Sequence, residues 1–188
     1  MIIPVVGMDP SFRHWGLASA NLDLDSGILT TPVLDLIITG DEPKGKQVRK
    51  NSYDLEAAET LFKGIYPIVQ KAKIVFVEVP HGSQSAAAMK GAGVCYGILG
   101  SLRALGVQII EVSEAENKKA MCNKRTATKL EMINKAVEYY PDANWPTYKR
   151  NGETLISEGN AEHMADAIGA IHAGALTPAF QQLMRLIA

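Results

Sequence analysis

Hydrophobic and polar positions along this chain follow two periods, and the places where one gives way to the other mark its elements. Ile2–Asp9 (IIPVVGMD) is apolar, rich in β-branched residues and closed by a carboxylate, which predicts a buried strand ending at Asp9. His14–Asp23 and Ile28–Gly40 follow, separated by the turn signal Asp25-Ser26-Gly27, so the chain opens as three antiparallel strands. The stretch 41–54, polar and basic with Pro43 and Gly45, reads as a surface insert. Helical periodicity sets in at Leu55 and runs to Ala72, and Lys73–Val79 is a second buried strand with Glu78 near its end.

From Ser83 to Gly106 the small residues of a predicted helix allow close approach to a neighbour, and Val107–Val112 reads as another strand. Ser113 or Glu114 opens a further helix, and Thr126 is expected to cap one over 127–139. Residues 141–159 read as a long loop, uncommon in a compact domain unless it has a function. Asn160 is the expected N-cap of a last long helix containing HMADAIGAIHAG. The pattern as a whole predicts an α/β chain with a mixed five-stranded sheet, three antiparallel strands then parallel strands, flanked by helices.

Composition narrows the class. A chain of 188 residues with 47% hydrophobic and 21% charged content suits one domain over 1–188. No apolar run is long enough to span a bilayer, and the start lacks the charged region and cleavage site of a signal peptide, so a cytoplasmic protein with no membrane partner is expected. Cys95 and Cys122 make no disulfide framework and no zinc-ligand spacing. A formal net charge of -1 argues against coating nucleic acid by bulk electrostatics. Net charge hides distribution, however. Lys44, Lys46, Arg49 and Lys50 form one basic patch, and Lys118, Lys119, Lys124, Arg125 and Lys129 another, with no acid inside either run.

The acids carry the chemistry. Asp9 and Glu78 end the first and fourth strands, which are neighbours in many open sheets, and ligands gather outside the carboxyl ends of such strands. The last helix can lay Asp166 beside them. A buried acid is costly unless paired or holding a metal, and oxygen donors gathered without cysteine suit Mg²⁺, with Mn²⁺ as a substitute. Two such ions about 3.5–4 Å apart support in-line displacement at a phosphodiester. His163 and Glu162 compete for the fourth position, since each shares a helix face with Asp166. Glu162, read as the second helical residue after Asn160, is the lesser candidate because the helix dipole already favours a carboxylate there. His163 gains nothing from the dipole, and neutral imidazole suits a ligand or proton carrier.

These residues resemble the RuvC-type Holliday junction resolvases of the ribonuclease H-like superfamily. GMDPSFRHWGLA is similar to the motif around the leading aspartate and VFVEVP to the strand-end glutamate. The stretch from Met89 to Met132 resembles the helix, strand and basic helix that follow, and HMADAIGAIHAG the terminal motif. The insert and the long loop lie mainly outside the resemblance. It implies a ribonuclease H-like fold, metal binding by Asp9, Glu78, His163 and Asp166, and phosphate contacts from Lys118, Lys119 and Lys129. It further implies a homodimer that resolves four-way or other branched DNA by paired, metal-dependent nicks in strands of like polarity, whose two-fold symmetry matches the junction's. The helix Ser85–Leu105 is the candidate dimer contact. VPHGSQ after Glu78 lacks the aromatic that relatives carry near the junction centre, and His81 is the residue available to stack in its stead. Two alternatives remain open on these residues: a ribonuclease H acting on RNA–DNA hybrids, and a non-catalytic branched-DNA binding protein.

Overall fold

The computed structural model describes residues 1–41, 49–81 and 85–187. Five strands form one sheet: β1 (Ile2–Asp9), β2 (His14–Asp23), β3 (Val33–Ile38), β4 (Ile74–Glu78) and β5 (Ile109–Val112), in the order β3-β2-β1-β4-β5. The first three strands pair antiparallel, and β1–β4 and β4–β5 pair parallel. This is the mixed sheet that the hydrophobic pattern predicts. Its strands are apolar on both sides because each side is covered. Val5, Ala18, Ile74 and Phe76 face one core, while Val6, Met8, Trp15, Leu17, Val75 and Val77 face the other.

Helices α1 (Lys50–Val69) and α2 (Ala86–Ala104) cover the second face through Leu61, Ile65, Cys95, Ile98 and Leu102. On the first face lie α3 (Glu114–Cys122), α4 (Lys129–Tyr139), α5 (Glu158–Ala175) and α6 (Pro178–Ile187). Among these, α5 is central and packs directly across β1, β2 and β4. Glycine makes that approach possible. A Cβ on Gly7 would meet the Ala167 carbonyl oxygen at 1.9 Å, and one on Gly16 would meet that of His163 at 2.1 Å.

Several boundaries differ from the sequence expectation. Helix α1 begins at Lys50, so the end of the 41–54 insert is its first turn; residues 42–48 lie outside the described residues. The cap of α4 is Thr128, not Thr126, because only Thr128 has a glutamate three residues on, and Thr128 and Glu131 close a reciprocal capping box. Ser113 and Glu116 do the same at α3. Helix α5 starts at Glu158 rather than after Asn160, with Ser157 at the cap position.

The 141–159 stretch is no open loop. It holds an antiparallel hairpin, β6 (Thr147–Arg150) and β7 (Glu153–Ile156), turning through Asn151 at φ 52° and Gly152 at φ 84°. Two positive φ values in a two-residue turn match the right-handed twist of a ribbon, and Asn-Gly is the pair that adopts them at least cost. Ahead of the hairpin, the Asn144 side chain accepts from the Leu34 amide at 2.7 Å and donates to the Leu34 carbonyl at 2.8 Å, tying this segment to the outer edge of β3. Helix α6 was not among the expected elements; Thr177 accepts from the Phe180 amide at 3.2 Å and Pro178 takes the first helical position. Among the described residues no helix is long and apolar enough to cross a membrane.

Candidate active site

Asp9 and Glu78 are brought together by strand register. Because β1 and β4 run parallel with Met8 opposite Val77, the carboxylates that end these two interior strands emerge side by side at their carboxyl ends. Helix α5 supplies the rest. Its close seat on Gly16 sets His163 against β1 and β2, and His163 Nδ1 lies 2.6 Å from Asp9 Oδ2. The imidazole also stacks on His14 of β2, with ring centroids 5.6 Å apart and planes 9° from parallel. Of the histidines, His14 thus joins the site, although its place in a strand gave no sign of it.

Asp166 follows His163 by almost one turn. Burial pushes its carboxyl up to about 8, reinforced by the negative charges of Asp9, Glu78 and Glu162 and only partly offset by Lys118. Glu78 is raised to about 7, again by burial first and then by Asp9, against a hydrogen bond from Asn117 that lowers it. Burial disfavours a charged His163, but the hydrogen bond and charge of Asp9 outweigh that and raise its pKa. These shifts have one physical origin: carboxylates with too few counter-charges share a poorly solvated space.

Asn117 holds this group together, and sequence reasoning missed it. It is fully buried, and its amide nitrogen donates both to Glu78 Oε2 and, at 2.9 Å, to the backbone carbonyl of Asp166. One side chain on α3 thereby links the ends of β4 and α5. Its Oδ1 is buried without a partner, beside Gly169, where a Cβ would come within 1.7 Å.

Glu162 departs from its expected setting. It is the fifth residue of α5, beyond the reach of a dipole argument made for the second, and its carboxylate pairs with Lys129 at 2.5 Å. Among the described residues, no three His, Cys, Asp or Glu side chains stand close enough to hold a metal ion as they are. Asp9 is engaged by His163 and Glu78 by Asn117. The donor chemistry nevertheless fits a hard cation: burial, and after it mutual repulsion, raises two carboxyls, and a cation offsets both.

The basic residues are distributed unevenly. Lys118 pairs with Glu114, Lys124 with Glu131 at 2.9 Å and Lys129 with Glu162, while Lys119 and Arg125 are exposed. Arg49 is exposed just before α1; Lys44, Lys46 and the Lys50 side chain lie outside the described residues. His81 is exposed and lines a cleft of about 410 Å³ with Pro80, Ser113 and Glu116, beyond the end of β4. A second cleft, of about 600 Å³, lies on the other side of Pro80, between Ser11, Phe12, Tyr53 and Lys90.

No protein-family model matches the sequence, and no curated protein matches it significantly. Solved structures do. Thermus thermophilus RuvC in complex with a Holliday junction substrate is similar at a TM-score of 0.62 and 16% identity, over 97% of this chain and 96% of that one. The structure of Thermus thermophilus RuvC is similar at a TM-score of 0.60 and 18% identity, over 98% and 97% of the two chains. Sheet order, helix placement and this coverage agree: over nearly its whole length the chain has the ribonuclease H-like fold of RuvC.

Proposed function

We propose that this protein is a metal-dependent endonuclease that resolves four-way or similarly branched DNA by paired nicks. The observation that carries the reading is the gathering of Asp9 and Glu78 at the carboxyl ends of β1 and β4 with Asp166 of α5, where burial and neighbouring negative charge raise Glu78 and Asp166. The fold adds weight, since a solved neighbour holds a Holliday junction substrate. Asp9, Glu78, Asp166 and His163 would hold Mg²⁺ or Mn²⁺, which supplies water activation and charge compensation for phosphodiester hydrolysis.

The chain's own groups have separable tasks. Asp9 orients the His163 ring through Nδ1, leaving Nε2 free to ligate or carry a proton. Asn117 fixes the Glu78 carboxylate and, through the Asp166 carbonyl, the seat of α5. Lys118, whose charge is felt by both Glu78 and Asp166, sits where the acid group meets the basic helices and is suited to a substrate phosphate. Lys119, Lys124, Arg125 and Lys129 extend that track.

A second copy of the chain fits the open side of α2. Met89 and Tyr96 are exposed there, and Cβ atoms on Gly93, Gly97 and Gly100 would meet nothing, which leaves a helix face of small residues clear along several turns. Such a face supports close packing of two symmetry-related helices, and hence two sites on one junction.

The test is cleavage of end-labelled four-way junction DNA beside matched duplex, fork and RNA–DNA hybrid, with Mg²⁺ or Mn²⁺. Paired nicks confined to the junction are expected, with Asp9→Asn lowering the rate by roughly a thousandfold, the equivalent of about 4 kcal/mol of lost charge stabilisation. Cleavage of the hybrid alone would assign a ribonuclease H. A fully active Asp9→Asn protein would remove Asp9 from the site.

A further inference from the structure

An isolated two-stranded hairpin is at best marginally stable in water. The β6–β7 hairpin nevertheless projects with every residue of its strands exposed except the half-buried Ile156. It is aimed from a firm root. Asn144 is clamped to Leu34, buried Trp145 donates its indole N–H to the Tyr140 carbonyl at 2.9 Å, and the Ser157 amide closes the base on the Pro146 carbonyl at 2.8 Å. The blade beyond that root is held in shape by its Asn151-Gly152 turn rather than by a core.

Its surface chemistry differs from that of the basic helices. Alternation puts Tyr148 and Leu155 on one face with Arg150 and Glu153, and Lys149 and Thr154 on the other. Neither Lys149 nor Arg150 makes an ion pair among the described residues, like the exposed Lys119 and Arg125 but unlike Lys118, Lys124 and Lys129. The exposed apolar surface amounts to one cross-strand pair, Tyr148 with Leu155, too little for the core of a protein interface. Free cations on both faces of a narrow twisted ribbon suit a double helix, whose major groove admits a two-stranded β-ribbon.

Location completes the argument. The hairpin runs directly into α5, and Asp166 lies about 12 Å along that helix from Glu158, the length of three to four base pairs. A strand seated at the acids therefore continues, as duplex, within reach of the hairpin. We infer that the β6–β7 hairpin is a docking arm for one duplex arm of the branched substrate, with Lys149 and Arg150 meeting phosphates and Tyr148 packing on the groove wall. This inference rests on the nuclease reading above.

The experiment compares wild type with the double substitution Lys149→Glu and Arg150→Glu, and with Tyr148→Ala, by fluorescence anisotropy. The probes are two four-way junctions in Ca²⁺, one with long arms and one with arms cut back to a few base pairs. All three positions are exposed, so the fold should survive, and a thermal melt checks that it does. On long arms the double variant should bind roughly tenfold more weakly, and the log–log salt slope should fall by about 2 for two lost phosphate contacts. Tyr148→Ala should weaken binding in the same direction by less, and on short arms all three proteins should bind alike. Equal affinity and slope on long arms overturn the inference, as does an equal loss on both probes, which would put the contact at the crossover. Failure of wild type to bind any junction overturns the nuclease reading itself, a result distinct from either.

Discussion

The acid group at the ends of β1 and β4 and the basic track along α3 and α4 meet at Lys118, and they are opposites in more than sign. In the first, burial raises Glu78 to about 7 and Asp166 to about 8, and the neighbouring negative charges add to that. In the second, Lys118, Lys124 and Lys129 have each already found a carboxylate in Glu114, Glu131 or Glu162. A site short of counter-charge takes up a cation with a gain. A lysine that is already paired must give up an ion pair before it meets a phosphate, so its contribution to affinity is a difference between two similar contacts, and only Lys119 and Arg125 are spared that exchange. Charge counted along the sequence describes the second region as strongly basic; the fold makes it the quieter of the two.

Asp166→Asn should break this contrast most severely. It removes a proposed ligand, so nicking should fall by roughly a thousandfold, yet it also removes the strained charge. The sign follows from proton binding. With its pKa raised from 3.8 to about 8, Asp166 keeps in the folded state a proton that the unfolded chain releases. Wild type therefore loses stability as pH climbs through that window, with the penalty absent below it and complete above it. In metal-free buffer the variant should melt with wild type at pH 4 and above it at pH 8. Added Mg²⁺ should raise the wild-type melting temperature more than that of the variant. A variant that gains nothing at pH 8 would mean that the charge is already compensated.

Asn117→Ala probes what holds the acids in place. Its loss leaves Glu78 and the Asp166 carbonyl without their buried donor, which should cost about 1–3 kcal/mol in urea unfolding. Nicking should slow while junction affinity stays level. Unchanged stability would show that water replaces the amide.

The smallest effect tests the basic side. Glu114→Gln frees Lys118, and junction affinity at low salt should rise roughly two- to threefold, within the modest range of an exposed ion pair. No rise would mean that Lys118 already faces phosphate without giving anything up.

What was legible in the sequence was local. A β-branched run closed by Asp9, another closed by Glu78, and an alanine-rich helix bearing His163 and Asp166 each announce themselves within a few residues. Parallel pairing of the two strands then follows from the order of elements. Asn117 was not legible, because its partners lie 39 and 49 residues away and an amide among lysines carries no periodic signal. The pairing of Lys129 with Glu162 is long-range in the same way. Other differences were readable and turned on turn chemistry: Thr128 with Glu131 spells a capping box, Asn151-Gly152 a hairpin, and Thr177-Pro178 a helix start. The hairpin escaped a reading based on hydrophobicity because its strands are exposed on both faces, so neither alternates.

The clamp of Asn144 on Leu34 has a consequence for crowded solutions. Strand β3 is the margin of an open sheet, and a margin with free amides and carbonyls is a template on which another chain can lay a strand. By answering both groups of Leu34 with one side chain, Asn144 interrupts that template partway along, so a foreign strand finds no continuous ladder to extend. The same contact that steadies the root of the hairpin therefore also guards the sheet against aggregation.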